Sequence, residues 1–155
     1  MLLATAGMPP PVAAQAAPPA PLELAVQGRV EHPGSLTLAE LQALPPVTVE
    51  IERTEANGVQ HMSFTGALLW TLVTTAGPVD EPGKHTFMQH TLLARGRDGY
   101  AAALAFGELD PRFEGKQVLV AYAQDGKPLP ALRLVIPADA RAGRNVRDVV
   151  AIEVR

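Results

Sequence analysis

No cysteine occurs in this chain. That absence excludes disulfides, thiolate metal sites and thiol nucleophiles together. It leaves the compartment open, because an exported protein can do without cysteine. No apolar run reaches the roughly 18 residues that a membrane-spanning helix requires. No basic excess is present either: the formal net charge is -3, which argues against nucleic acid as a partner. No Ser/His/Asp order, phosphate loop or dinucleotide fingerprint appears, and no internal repeat.

What the chain does have is enough length, 155 residues at 47% hydrophobic, for one soluble domain with a real core. The first 21 residues stand apart. Met1 to Pro21 carries no charged side chain and six prolines (Pro9, Pro10, Pro11, Pro18, Pro19, Pro21). Val12 to Ala17 has the small-x-small form of a signal-peptidase site, with cleavage expected after Ala16. Either a signal peptide or a disordered Ala/Pro leader accounts for this composition. The expected division is a leader over 1–21 and a single globular domain over 22–155, exported to the periplasm or outside the cell.

From Leu22 onward the pattern is mostly that of strands. Leu22, Leu24 and Val26 alternate with polar or small residues up to Gly28, as a half-buried strand does. Thr37 and Glu40 have capping-box spacing, so a helix is expected over 38–43, stopped by Pro45-Pro46. Val47, Val49 and Ile51 alternate with Thr48, Glu50 and Glu52, which gives a strand with one wet face. Asn57-Gly58 turns it back along 59–64 as a hairpin. A helix follows over 67–76, ended by Gly77, with Trp70 packing inside it. Further strands are expected over 87–94, 100–104, 117–123, 132–136 and 149–154, with a helical turn at Phe106-Gly107-Glu108-Leu109 before Pro111. Strands outnumber helices without regular βαβ alternation. The expected class is α+β with a mixed, mainly antiparallel sheet.

Several short motifs follow one another in order: Gly28-Arg29-Val30, Phe64-Thr65-Gly66, Asp98-Gly99-Tyr100, Phe106 to Asp110, Gln124 to Leu129, Leu132 to Asp139, and Arg144-Asn145-Val146-Arg147 before the last strand. In that order and spacing, the chain resembles the molybdopterin-binding domain of sulfite-oxidase-type oxidoreductases. The resemblance implies that family's fold over 22–155. It also implies a molybdenum-ligating cysteine on the segment before Phe64, and the positions around Ile51 to Thr54 hold none. Thiolate-ligated molybdenum is therefore not expected, because a carboxylate such as Glu52 is a poor substitute for a soft sulfur donor. A molybdopterin cofactor held in some other way stays open by resemblance.

The resemblance further implies basic residues near the C-terminus that hold an anionic pterin phosphate. Arg144, Asn145, Arg147 and Arg133 are the candidates, with guanidinium pairs suited to bidentate anion contacts. Pairing of the C-terminal arginines with Asp139, Asp148 and Glu153 on a solvated surface is the other reading of the same residues. His61, His85 and His90 are read as satisfied or solvent-exposed rather than as a metal set, because residues five apart on a strand face opposite ways. Glu50 and Glu52 are read as a wet strand face. The expected function is a non-catalytic module binding an anion or cofactor, or an accessory to a redox or signalling partner protein. Two alternatives stand beside it: a molybdopterin-dependent oxidoreductase without a protein thiolate, and a pure protein-interaction module.

Overall fold

The structure is a computed structural model, and it describes residues 20–137 and 139–155. The expected leader and its cleavage site after Ala16 lie almost wholly outside the described residues.

Among the described residues, nine strands form two sheets. Along the chain run β1 (Glu23–Gly28), β2 (Gly34–Thr37), α1 (Leu38–Ala43), β3 (Val47–Glu55), β4 (Gly58–Leu68), α2 (Leu69–Ala76), β5 (Thr91–Gly96), β6 (Ala101–Ala105), α3 (Phe106–Leu109), β7 (Leu119–Gln124), β8 (Lys127–Val135) and β9 (Val149–Val154). One sheet has the order β2-β1-β9-β5-β6 and the other β3-β4-β7-β8. The β1–β9 pair is parallel and the remaining pairs are antiparallel. This is the mixed, mainly antiparallel α+β architecture that the alternation pattern implies.

Local chemistry explains most element ends. The Thr37 hydroxyl accepts from the Glu40 N–H at 3.3 Å, and the Glu40 carboxylate accepts from the Thr37 N–H at 2.7 Å, which starts α1 as its spacing predicts. Gly77 takes a left-handed conformation (φ 70°) and closes α2. Gly66 sits at an irregularity in the β4–β7 pairing. A Cβ there would lie 2.2 Å from the Val120 carbonyl oxygen, so only glycine lets these strands meet.

Two hydrophobic clusters divide the strand faces. The larger lies between the sheets and α2 and includes Leu24, Leu69, Leu72, Leu92, Leu104, Val120, Leu132, Leu134 and Ile152. The smaller comprises Val49, Ile51, Phe64, Leu119, Ala121 and Val135. Val120 and Leu134 belong to the first and Leu119, Ala121 and Val135 to the second, so β7 and β8 feed both faces of one sheet. Glu50 and Glu52, on the other side of β3 from Val49 and Ile51, are exposed.

Three expectations need correction. The strand expected over 87–94 begins only at Thr91, because residues Thr86–Gln89 form a 3-10 turn entered through His85 in a left-handed conformation (φ 60°). The strand expected from Leu132 begins at Lys127; Pro128 and Pro130 are tolerated because β8 is an edge strand. The helix expected from Ala67 begins at Leu69, because β4 continues through Leu68 against β7.

Candidate functional site

The four C-terminal candidates divide by what they touch. Arg144 ends the 3-10 turn Ala142–Arg144. Its Nε and Nη2 donate to Asp139 at 2.9 and 2.6 Å, and its Nη1 donates to the Glu108 carboxylate at 3.1 and 3.2 Å. Glu108, on α3, also accepts from the Lys116 ammonium at 2.6 Å and the Ala105 N–H at 3.1 Å. Burial alone would push the Glu108 carboxyl up; the hydrogen bonds from Lys116, the Ala105 N–H and Arg144 together outweigh it and hold the group below its usual range. The same network, led by the bonds to Asp139, raises Arg144. The Asn145 side-chain oxygen accepts from the Ile136 N–H at 3.0 Å, tying the end of β8 to the loop that follows. Arg144 thus spends its guanidinium on the protein, and Asn145 its side-chain oxygen.

Arg133 and Arg147 do not. Arg133 lies on β8 and forms an antiparallel bridge with Arg147. Its guanidinium stands 5.6 Å from the centre of the Phe64 ring, and its one side-chain partner is Gln124 at 3.5 Å. Burial first, then repulsion from Arg147 and Arg53, lowers its pKa from the ordinary arginine value. Arg53 therefore belongs to the same group. It follows Val49 and Ile51 on the inward face of β3, and its Nε is buried with no hydrogen-bond partner. Among the described residues, none of these three guanidiniums is in an ion pair. Arg53 thus carries a buried donor that an anion would satisfy, although Glu55 and Asp98 line the adjoining hollows.

Two hollows share Ala142, one lined by Arg53 and the other by Arg147; Arg133 lines neither. One, of about 530 Å³, is lined by Arg53, Thr54, Glu55, Ala140, Arg141 and Ala142. The other, of about 240 Å³, is lined by Asp98, Tyr100, Ala142, Gly143, Asn145 and Arg147. Tyr100 is 52% exposed and donates its hydroxyl proton to the Gly143 carbonyl, so it lines this hollow instead of packing inward. Arg53 is the residue that sequence reasoning missed. The signal was present, since strand alternation from Val49 and Ile51 puts an arginine on an apolar face.

The remaining candidates have separate partners. Exposed His61 pairs with Glu52 at 3.1 Å across the hairpin, and buried His90 contacts Asp80 at 2.7 Å. Arg155 and Arg95 pair with Glu153, and Arg97, not a C-terminal arginine, pairs with Asp148. Over Ile51 to Thr54, where the resemblance puts a ligating cysteine, Ile51 is buried, Glu52 faces out and Arg53 faces in. A guanidinium cannot serve as a soft metal donor, so the donor set of this segment does not fit thiolate-held molybdenum. Among the described residues no group of three His, Asp or Glu side chains is placed to hold a metal. The arginines do fit the phosphate of a pterin, or another anion.

No curated protein sequence matches the chain. Among solved structures, it is similar to the sulfane dehydrogenase SoxCD from Paracoccus pantotrophus, with a TM-score of 0.66 and 21% identity. That match covers 86% of this chain and 38% of the SoxCD chain, so the present chain spans well under half of that relative. The family model for the oxidoreductase molybdopterin binding domain matches residues 10–155. The chain belongs to the oxidoreductase molybdopterin binding domain family of sulfite-oxidase type.

Proposed function

We propose that this molybdopterin-binding-type domain is a non-catalytic module that binds an anion or an anionic cofactor through Arg53, Arg133 and Arg147. The observation that carries this reading is the buried, partnerless Nε of Arg53 beside a desolvated Arg133, in a chain with no thiolate. An anion there would satisfy a donor that otherwise costs about 1–3 kcal/mol to bury unpaired. Arg144 and Asn145 support the site from behind by fixing the loop between β8 and β9. The Ala/Pro leader with its small-x-small site supports export, and mass analysis of the N-terminus after production in a secreting host tests it: a start at Ala17 is the expected result.

The family's name favours a second reading, an oxidoreductase that keeps molybdopterin without a protein thiolate. Bound cofactor would supply two-electron redox chemistry there, with the arginines holding its phosphate. Elemental molybdenum and pterin fluorescence on full-length protein from a cofactor-making host separates the two. The module reading expects no stoichiometric molybdenum. It also expects phosphate or pyrophosphate to raise the melting temperature of the wild type and not of an Arg133→Gln, Arg147→Gln double variant. Stoichiometric molybdenum lost in that variant would establish the oxidoreductase instead. Anion stabilisation surviving in it would remove the arginine site.

A further inference from the structure

A separate hollow of about 320 Å³ lies away from the arginine site, lined chiefly by Trp70, Pro78, Asp80, Phe87, Phe106 and Arg112. Its walls are aromatic. Trp70 and Phe106 stand 5.2 Å apart between ring centroids, and the Arg112 guanidinium lies 4.8 Å from the centre of the Phe87 ring. Two groups that carry opposite charge when ionised stand in these walls, and each is fixed from behind by a buried partner. Asp110, 0% exposed, accepts from Nε and Nη2 of Arg112 at 3.0 and 2.6 Å. Nη1 of Arg112 has no partner among the described residues. His90, 3% exposed, holds Oδ1 of Asp80 through Nε2 at 2.7 Å and faces the Arg155 carbonyl with Nδ1 at 3.3 Å. Oδ2 of Asp80 likewise has no partner among the described residues.

We propose that this hollow recognises a zwitterionic amino acid with an aromatic or bulky apolar side chain. The ligand's carboxylate would take Nη1 of Arg112, its ammonium Oδ2 of Asp80, and its side chain the faces of Trp70 and Phe106. A plain carboxylic acid would meet repulsion from Asp80, and a plain amine repulsion from Arg112; a ligand with both charges satisfies both groups. Because Asp110 and His90 already hold the two side chains, little side-chain entropy remains to be lost on binding. The aromatic walls give apolar area and shape, and the charge-assisted bonds give orientation. The hollow shares no lining residue with the two hollows beside Arg53 and Arg147.

Trp70 is the chain's single tryptophan, so its fluorescence reports on this wall directly. The full chain is titrated with L-phenylalanine, then with phenethylamine and hydrocinnamate, which each lack one of the two charges. The expected result is a saturable change with L-phenylalanine and a dissociation constant about tenfold or more weaker for each half-ligand. Asp80→Asn should weaken L-phenylalanine by a similar factor. No saturable change with L-phenylalanine or L-leucine up to about 10 mM overturns the proposal. Equal affinity for L-phenylalanine and phenethylamine also overturns it, because the hollow would then be an apolar contact alone. The ligand series needs no variant, so it decides the matter even if Asp80→Asn fails to fold.

Discussion

Arg53 and Arg144 illustrate how one side-chain type serves opposite purposes. Arg144 satisfies two carboxylates that are each only 16% exposed, so its removal leaves Asp139 without its cation and Glu108 with Lys116 alone. Arg144→Ala should therefore cost about 2–3 kcal/mol in urea unfolding. Arg53 has no such duty; its Nε is buried without a partner. In anion-free buffer Arg53→Met should leave stability unchanged or raise it slightly, while abolishing stabilisation by added phosphate. A loss of more than about 1 kcal/mol in anion-free buffer would show that Arg53 is a structural residue. The sequence hinted at this division only in part. Asp139 lies five residues from Arg144 and was legible as a partner, whereas Glu108 is 36 residues away and is brought in by tertiary packing. Arg53 was legible from alternation, yet its lack of counter-charge depends on where Arg133 and Arg147 come to rest.

At the scale of elements, local chemistry read well wherever a side chain bonds its own neighbourhood. The α1 capping box, the Asn57-Gly58 hairpin and the Gly77 stop are of that kind. The misplaced boundaries were set by pairing between distant strands: β4 stays extended through Leu68 because it pairs with β7, and β8 tolerates its prolines because one side is open. Gly66 belongs here too. Gly66→Ala would drive a methyl into the Val120 carbonyl oxygen, and a loss of about 3 kcal/mol or more in thermal unfolding is expected. The α3 network adds a pH dependence. The folded Glu108 carboxyl sits below its ordinary 4.5, so the stability it contributes is complete above that value and is lost as pH falls through the lower folded value. Asp110, held low first of all by its Arg112 hydrogen bonds, acts in the same direction below its ordinary 3.8. Melting temperature should therefore be flat from neutral pH down to about 5 and fall below it. Glu108→Gln should flatten part of that acid slope while lowering the plateau.

For the molecule as a whole, the distribution of charge matters more than its sum. Sixteen acidic against 13 basic side chains give a net -3, a field that repels a long polyanion at a distance. Against that background stand three guanidiniums without carboxylate partners among the described residues, two of them half-buried. A compact anion can reach such a recess and escape the surrounding negative surface, whereas a duplex cannot. Screening also differs: surface attraction fades within about 10 Å at 0.1 M salt, while a partly buried contact is screened much less. Full-length protein should therefore fail to stay on a heparin column at about 0.1 M salt and yet keep most of its phosphate-induced stabilisation when the ionic strength is raised severalfold with chloride. Retention on heparin that disappears together with the phosphate effect would mean that the arginines act as an open basic patch. Stabilisation that survives the salt and vanishes in Arg53→Met would place the anion in the recess formed by β3 and the loop before β9.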